Sequence, residues 1–186
     1  KLIGDVVEIL TDMNHNYGGE PYQEYIGKFP GGIMYNLGCH LIDFIVAAMG
    51  RPESAASFMK SAPGCASNIF NNCTAVLEYP TAHVILRSCS KVASCTPGRS
   101  MIIAGTKGTI RFSPLERFDN VPLEVALMLK EARNGYPAGS HTLRFPMDSD
   151  RYRPQLKEVY LQDIYAMKER QRTVFRRRKV GIIFQA

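Results

Sequence analysis

A succession of short β-like runs, with one long apolar helical segment among them, constrains this chain more than any other feature. Val6-Val7-Glu8-Ile9-Leu10-Thr11 opens the series, with β-branched and large apolar side chains suited to an extended backbone. Strand-like runs follow at residues 54–60, 72–79, 83–90, 100–104 and 109–112. Two joints are well specified. Pro80-Thr81 separates two β-like runs at hairpin distance, and Gly105-Thr106-Lys107-Gly108 supplies glycines for a tight reversal. Residues 123–130 and 141–145 read as further strands, the first with helix as its competitor. Residues 14–30, rich in Gly, Tyr, Asn and Pro, read as a long loop. Residues 152–170 carry a partly helical pattern. The economical architecture is α+β: an open, mostly antiparallel β-sheet with helices packed on one face.

With 186 residues and 45% hydrophobic content, the chain can bury a sizeable core, most simply as one domain over residues 1–167. The longest apolar run is too short and too interrupted to span a bilayer, so no membrane role is expected. No signal peptide is expected, and Lys1 stands where an initiator Met would, as if the chain were cut from something longer. Five cysteines (Cys39, Cys65, Cys73, Cys89 and Cys95) form no CxxC pair and suit a reducing compartment, so a cytoplasmic setting is expected. The net charge of +6 lies in residues 168–186: seven basic residues between Lys168 and Lys179 face one acid, Glu169. That basic tail accompanies no nucleic-acid motif, and the rest of the chain is near neutral, so no nucleic-acid partner is expected.

The helical segment, residues 33–49, follows the paired glycines Gly31-Gly32 and ends before Gly50 and Pro52. Inside it Asn36, His40 and Asp43 stand at offsets of four and three, which on an α-helix places them along one stripe. An apolar helix that keeps its polar residues on one line is where chemistry is expected. Imidazole titrates near neutral pH and suits general acid–base work, so His40 is the best placed catalytic candidate. Asp43 can accept from a ring nitrogen or bind a substrate hydroxyl, and Asn36 can hydrogen-bond a substrate. A hydrogen-bonded helix histidine with no catalytic role is the competing reading.

Gly31-Gly32 followed by Asn36, Gly38, His40 and Asp43 resembles the substrate-domain helix of the glucose–fructose oxidoreductase / inositol dehydrogenase / rhizopine-catabolism (Gfo/Idh/MocA) family. Asn72-Cys73-Thr74-Ala75-Val76-Leu77-Glu78-Tyr79 resembles that family's D-N-x-x-x-x-L-x-F/Y strand. The run from Ile102 to Ile110 resembles its I-x-G-T-x-G-T-I/L hairpin. Three motifs in order are more specific than any one. The resemblance covers residues 2–112 and fades after Tyr152.

The resemblance implies the second half of an oxidoreductase that transfers hydride between NAD or NADP and a sugar, cyclitol or related polyol. The family's N-terminal Rossmann domain holds the cofactor, its helix His lies beside the reacting hydroxyl, and its Lys comes from the Rossmann half. This chain has no GxGxxG, so it is expected to bind neither NAD nor NADP alone. Many members carry Asp where this chain has Asn36, and an amide cannot take a proton. By the same resemblance, His15 and Tyr17 lie in the loop after the first strand where substrate contacts are often placed; an exposed loop histidine is the competing reading of His15.

Tyr17, Tyr22 and Tyr25 could line a sugar pocket by stacking or merely cover a core edge. His83 reads as structural, and His141 either reaches the pocket or reaches nothing. Metal binding finds little support, because no third or fourth ligand accompanies His40 and Asp43. One sheet face is left to be covered, and family members often pack these faces together, so a homodimer or tetramer is expected. Two alternatives stay open: a non-catalytic binding or oligomerisation module of the same fold, and an NAD-dependent glycoside hydrolase.

Overall fold

Period-two burial runs along β1 (Val6–Asp12), β3 (Asn72–Tyr79) and β4 (Ala82–Cys89), where every second side chain is driven out of water by the apolar residues it meets. The computed structural model describes residues 1–16, 19–93, 98–117, 119 and 121–146, and these belong to one compact unit ending at Pro146. The remaining strands are β2 (Ser54–Lys60), β5 (Ser100–Gly105), β6 (Gly108–Phe112), β7 (Leu123–Leu129) and β8 (Gly139–Phe145). They form one eight-stranded sheet in the order β2-β3-β4-β1-β5-β6-β7-β8. Each neighbouring pair is antiparallel except β1 and β4, which run parallel. The strand reading of residues 123–130 holds against its helical competitor. The basic tail, the helical pattern at 152–170, Tyr17 and Cys95 lie outside the described residues.

The register settles which face is which. Ile9 pairs with Val84, Val84 with Leu77, and Leu86 with Ala75, so these buried side chains share one face. Ile26, Ile33, Leu37, Leu41 and Ile45 cover it from the helical side. A smaller cluster at the β7 end joins Ile3, Leu127 and Leu129, with Leu2 and Leu143 packed against it. His83, Ile85 and Arg87 point to the opposite face. Across that open face Val76, Ile85, Leu10 and Ile102 stand directly opposite one another, forming a half-buried apolar line.

Two parts of the helical layer depart from expectation. Residues 14–30 are not all loop, because α1 (Glu20–Gly27) lies within them. Pro21 occupies the first turn, where its missing N–H costs nothing, and Glu20 suits the positive end of the helix. What holds α1 is tertiary. Ile26 is fully buried, and the buried Gln23 Oε1 accepts from Asn71 Nδ2 at 2.9 Å and Ser90 Oγ at 3.0 Å. Asn71 is fixed in turn, since its Oδ1 accepts the Ala62 N–H at 2.7 Å.

Nor is the segment at 33–49 one regular α-helix. Met34–Gly38 forms a π-helical turn, and α2 (Cys39–Met49) continues from it. Asn36 therefore lies on the wider turn while His40 and Asp43 lie on α2, and the single α-helical stripe is broken at its first member. Gly38 packs against Met34, where a Cβ would collide with the Met34 sulfur. α2 ends at Gly50, whose φ is +83° and whose N–H reaches the Val46 carbonyl at 2.9 Å. Tyr79 Oη donates to the Gly50 carbonyl at 2.9 Å and pins that end to β3.

Candidate active site

The first part of the site is an extension of β1. Past Asp12 the backbone keeps pairing with β4: Met13 N–H reaches the Arg87 carbonyl and His15 N–H the Cys89 carbonyl, each at 2.9 Å. Extended geometry preserves the alternation, so Ile9, Thr11, Met13 and His15 all turn to the helical side and all are buried. His15 is thus fully enclosed, which removes the competing reading of an exposed loop histidine. The signal was present as an i, i+2 continuation, but a polar residue after Asp12, Asn14 and a loop-like composition concealed it.

From the core face His15 Nε2 meets Tyr22 Oη at 3.2 Å, their rings tilted at 54°. Tyr22, on α1, donates its hydroxyl proton to Asn36 Oδ1 at 2.9 Å. The structure therefore brings together His15, Tyr22 and Asn36, from the strand extension, α1 and the π turn. Tyr22 was legible as a pocket tyrosine but not as the bridge between two other candidates, because that contact exists only once α1 has formed. No hydrogen bond joins His40 to Asp43, or either of them to this cluster, among the described residues. His40 is half-buried on α2 and Asp43 is exposed one turn on.

Burial holds the His15 imidazole neutral, and the nearby Arg99 guanidinium adds to the effect, lowering its pKa from 6.5 to about 4. Arg99 is itself buried, donates to the Asn14 carbonyl at 3.0 Å and pairs with Glu116. This has a measurable consequence. As pH falls from about 6.5 to about 4, the unfolded chain takes up a proton on His15 that the folded chain refuses, so stability drops. Below about pH 4 both states are protonated and the loss levels off. The expected loss is on the order of 3 kcal/mol. Urea unfolding of His15→Gln beside the unsubstituted chain checks it: the variant should show a flatter pH dependence in this window.

The other histidines lie elsewhere. His83 is exposed on the open face, and His141, on β8 toward the far edge of the sheet, bonds the Pro137 carbonyl of its own hairpin at 2.8 Å. Tyr25 belongs to an aromatic ladder with Phe29 and Tyr35, successive ring centroids lying 5.0 Å apart. A cavity of about 560 Å³ opens between α1 and residues 64–69, lined by Gln23, Glu24, Cys65 and Lys91 among others; Asn36, His40 and Asp43 are not part of its wall. Among the described residues no group of His, Cys, Asp or Glu could hold a metal ion, no helix is long and apolar enough to cross a membrane, and the cysteines are unpaired.

The paired glycines at 31–32 do not have the form of a dinucleotide cradle. Such a site needs free backbone N–H groups at a helix start following a glycine-rich strand end. The paired glycines here follow α1 instead of a strand. Their neighbourhood spends its N–H groups internally: Gly32 on Phe29, Ile33 on Phe70 and Tyr35 on Gly31.

Comparison with known proteins places this geometry. Residues 1–111 match the model described as the GFO/IDH/MocA C-terminal domain. No curated protein sequence matches the chain. Solved structures share the fold at low identity. The Bacillus subtilis protein yvaA superimposes with a TM-score of 0.60 at 17% identity, over 84% of this chain and 48% of its own. An oxidoreductase from Bacillus cereus gives 0.60 at 17%, over 87% and 57%. An inositol dehydrogenase homolog from Azotobacter vinelandii, complexed with NADH and myo-inositol, gives 0.57 at 12%, over 76% and 36%. The chain thus spans about half the length of the first two structures and about a third of the last.

Proposed function

The chain belongs to the GFO/IDH/MocA family as its C-terminal domain, and from that premise we propose that it is the substrate-binding, proton-handling half of an NAD(P)-dependent oxidoreductase acting on a sugar, cyclitol or related polyol. The observation that carries this reading is His40. It lies half-buried on α2, inside the matched segment, one helical turn beyond an Asn36 that is itself held by hydrogen bonding. No hydrogen bond from a described residue engages its ring, which leaves the ring nitrogens for a substrate.

Oxidising a carbinol removes a hydride from carbon and a proton from oxygen. In this reading the hydride acceptor is NAD(P), held by the Rossmann half that the family resemblance implies, so the share of this chain is the proton. His40 takes it from the substrate hydroxyl, or returns it in the reverse direction, because an imidazole exchanges protons with little cost near neutral pH. Asn36 binds a substrate oxygen and keeps the carbinol oriented; Asp43, exposed on the same helix, binds an outer hydroxyl. The myo-inositol bound to the Azotobacter homolog supports a cyclic polyol as the substrate class.

The test is a panel of sugars and cyclitols given to the full-length protein with NAD or NADP, followed by nicotinamide absorbance and product analysis. Reduction of the nicotinamide with loss of a carbinol hydrogen supports the reading. Net glycoside cleavage without nicotinamide turnover, or no reaction across the panel, counts against it.

The sheet face away from the helices supports a reading of the assembly. The line Val76, Ile85, Leu10 and Ile102 is flanked by Glu8, His83, Arg87 and Asp12. An apolar centre with a charged rim has the composition of a protein interface. We infer a homodimer or tetramer through this face. Light scattering should show a multiple of the 20.8 kDa chain mass, and Ile85→Lys should drive it to monomer. A monomeric unsubstituted chain at high concentration would overturn the assignment.

A further inference from the structure

We infer that the cavity between α1 and residues 64–69 is a second small-molecule site, and that its ligand is a zwitterion carrying a carboxylate beside an ammonium group, the chemistry of a free α-amino acid. The inference goes beyond the oxidoreductase reading and does not depend on it. The cavity measures about 560 Å³, within the range of small-ligand pockets, and Gln23, only 4% exposed, stands in its wall. The orientation of the Gln23 amide is fixed from the backbone outward. The Ala62 N–H can only donate, so the Asn71 atom that it meets at 2.7 Å is the amide oxygen. Asn71 Nδ2 then donates to Gln23 at 2.9 Å and to Cys65 Sγ at 3.2 Å, and Gln23 must meet it with Oε1. Ser90 Oγ donates to the same oxygen at 3.0 Å, which occupies both of its lone pairs. Asn71 and Ser90 are buried and are not wall residues, so Oε1 is turned away from the cavity and Nε2 is the polar atom left on its side. Nε2 is enclosed and has no hydrogen-bond partner among the described residues. An enclosed NH₂ group without an acceptor is costly, and a ligand oxygen entering the cavity removes that cost.

The charged wall residues set the rest of the ligand. Glu20 and Glu24 stand about one helical turn apart on α1, and Lys91 follows the end of β4; all three are exposed, which puts them at the mouth. Among the described residues none of the three takes part in an ion pair. Two carboxylates four residues apart on a helix repel, and a ligand ammonium relieves that repulsion. A ligand carboxylate takes Lys91 and the Gln23 N–H groups. A neutral polyol leaves the charges unanswered, an acid without an amine meets Glu20 and Glu24, and an amine without an acid meets Lys91. Ile69, Gly27 and Gly64 line other parts of the wall and leave an uncharged surface for the ligand side chain. Asn36, His40 and Asp43 are not in this wall, so the site is separate from the one proposed for the substrate.

Calorimetry on the full-length protein tests this, with L-alanine and L-leucine as probes and propionate and L-alaninamide as controls. At least one of the amino acids should bind with a Kd of about 1 mM or tighter, and both controls should bind it about tenfold more weakly or not at all. Lys91→Met and Glu24→Gln, both at exposed positions, should each weaken the amino acid about tenfold. Gln23→Glu keeps an acceptor for Asn71 and Ser90 while removing the NH₂ group, and should abolish binding; its melting is followed alongside, and if it unfolds the two mouth variants decide. In the unsubstituted protein the Gln23 side-chain NH₂ resonances should shift as the amino acid is added. No binding by either amino acid at about 10 mM, equal binding by a control, or unchanged affinity in both mouth variants overturns the site. Displacement of the amino acid by a polyol substrate shows one shared site and overturns the separation. A full-length protein that turns over no polyol sinks the oxidoreductase reading and leaves the binding result to decide this one.

Discussion

Replacing His40 with alanine in the full-length enzyme is expected to lower turnover by about a hundredfold or more, with a smaller change in KM. The interaction lost is one that develops as the substrate hydroxyl gives up its proton, so it stabilises the transition state more than the bound ground state. Asn36→Ala should behave in the opposite sense, weakening substrate binding more than it slows the chemical step, because the amide donates but does not transfer a proton at neutral pH. Steady-state kinetics on both variants separate the two roles. Near-normal turnover in a well-folded His40→Ala variant would make the helix histidine structural and return the chain to a non-catalytic binding module.

Gly32→Ala is expected to cost about 3 kcal/mol or more and to blunt or abolish the cooperative thermal transition. Gly32 has φ of +51°, in the left-handed region, and a Cβ there would be driven into the Phe70 carbonyl oxygen, a backbone atom that cannot swing aside. That carbonyl also accepts the Ile33 N–H at 2.8 Å, so the collision falls on the hydrogen bond that docks the π turn against the segment leading into β3. Gly50→Ala is the control. Gly50 has a comparable φ of +83° but open space where its Cβ would stand, so it should lose only about 1 kcal/mol. Equal melting shifts for the two variants would show that backbone strain alone matters and that the close approach at Phe70 does not.

The strands were legible because their signals are local. Period-two alternation at residues 72–79 and the turn residues Pro80-Thr81 and Gly105 to Gly108 specify extended runs and reversals without reference to the rest of the molecule. The family was legible for a related reason: Gly32 is required by a backbone position and survives as a motif. α1 was not legible, since eight residues with no side-chain cap become helical only when Gln23 and Ile26 find Asn71, Ser90 and the core. The π turn at Met34–Gly38 carries no compositional mark that separates it from an α-helical turn. The candidate site divides the same way. His40 and Asn36 stood out as polar residues on an apolar helix, whereas the link from His15 through Tyr22 depends on three segments meeting in space.

The position of β1 has a consequence for the order in which the molecule assembles. β2, β3 and β4 follow one another as a meander, and so do β5 to β8; each group can pair from sequence neighbours alone. β1 is made first but lies between them, Glu8 waiting for His83 on one side and Ile9 for Ile103 on the other. Both closures span long stretches of chain, so their entropic cost falls due before their contacts repay it. The two meanders are thus expected to gather early and the amino-terminal strand to enter late, as the seam that turns two half-sheets into one. The backbone that carries His15 is laid down in that same final step, so the anchor beneath Tyr22 and Asn36 is set only when the sheet is whole.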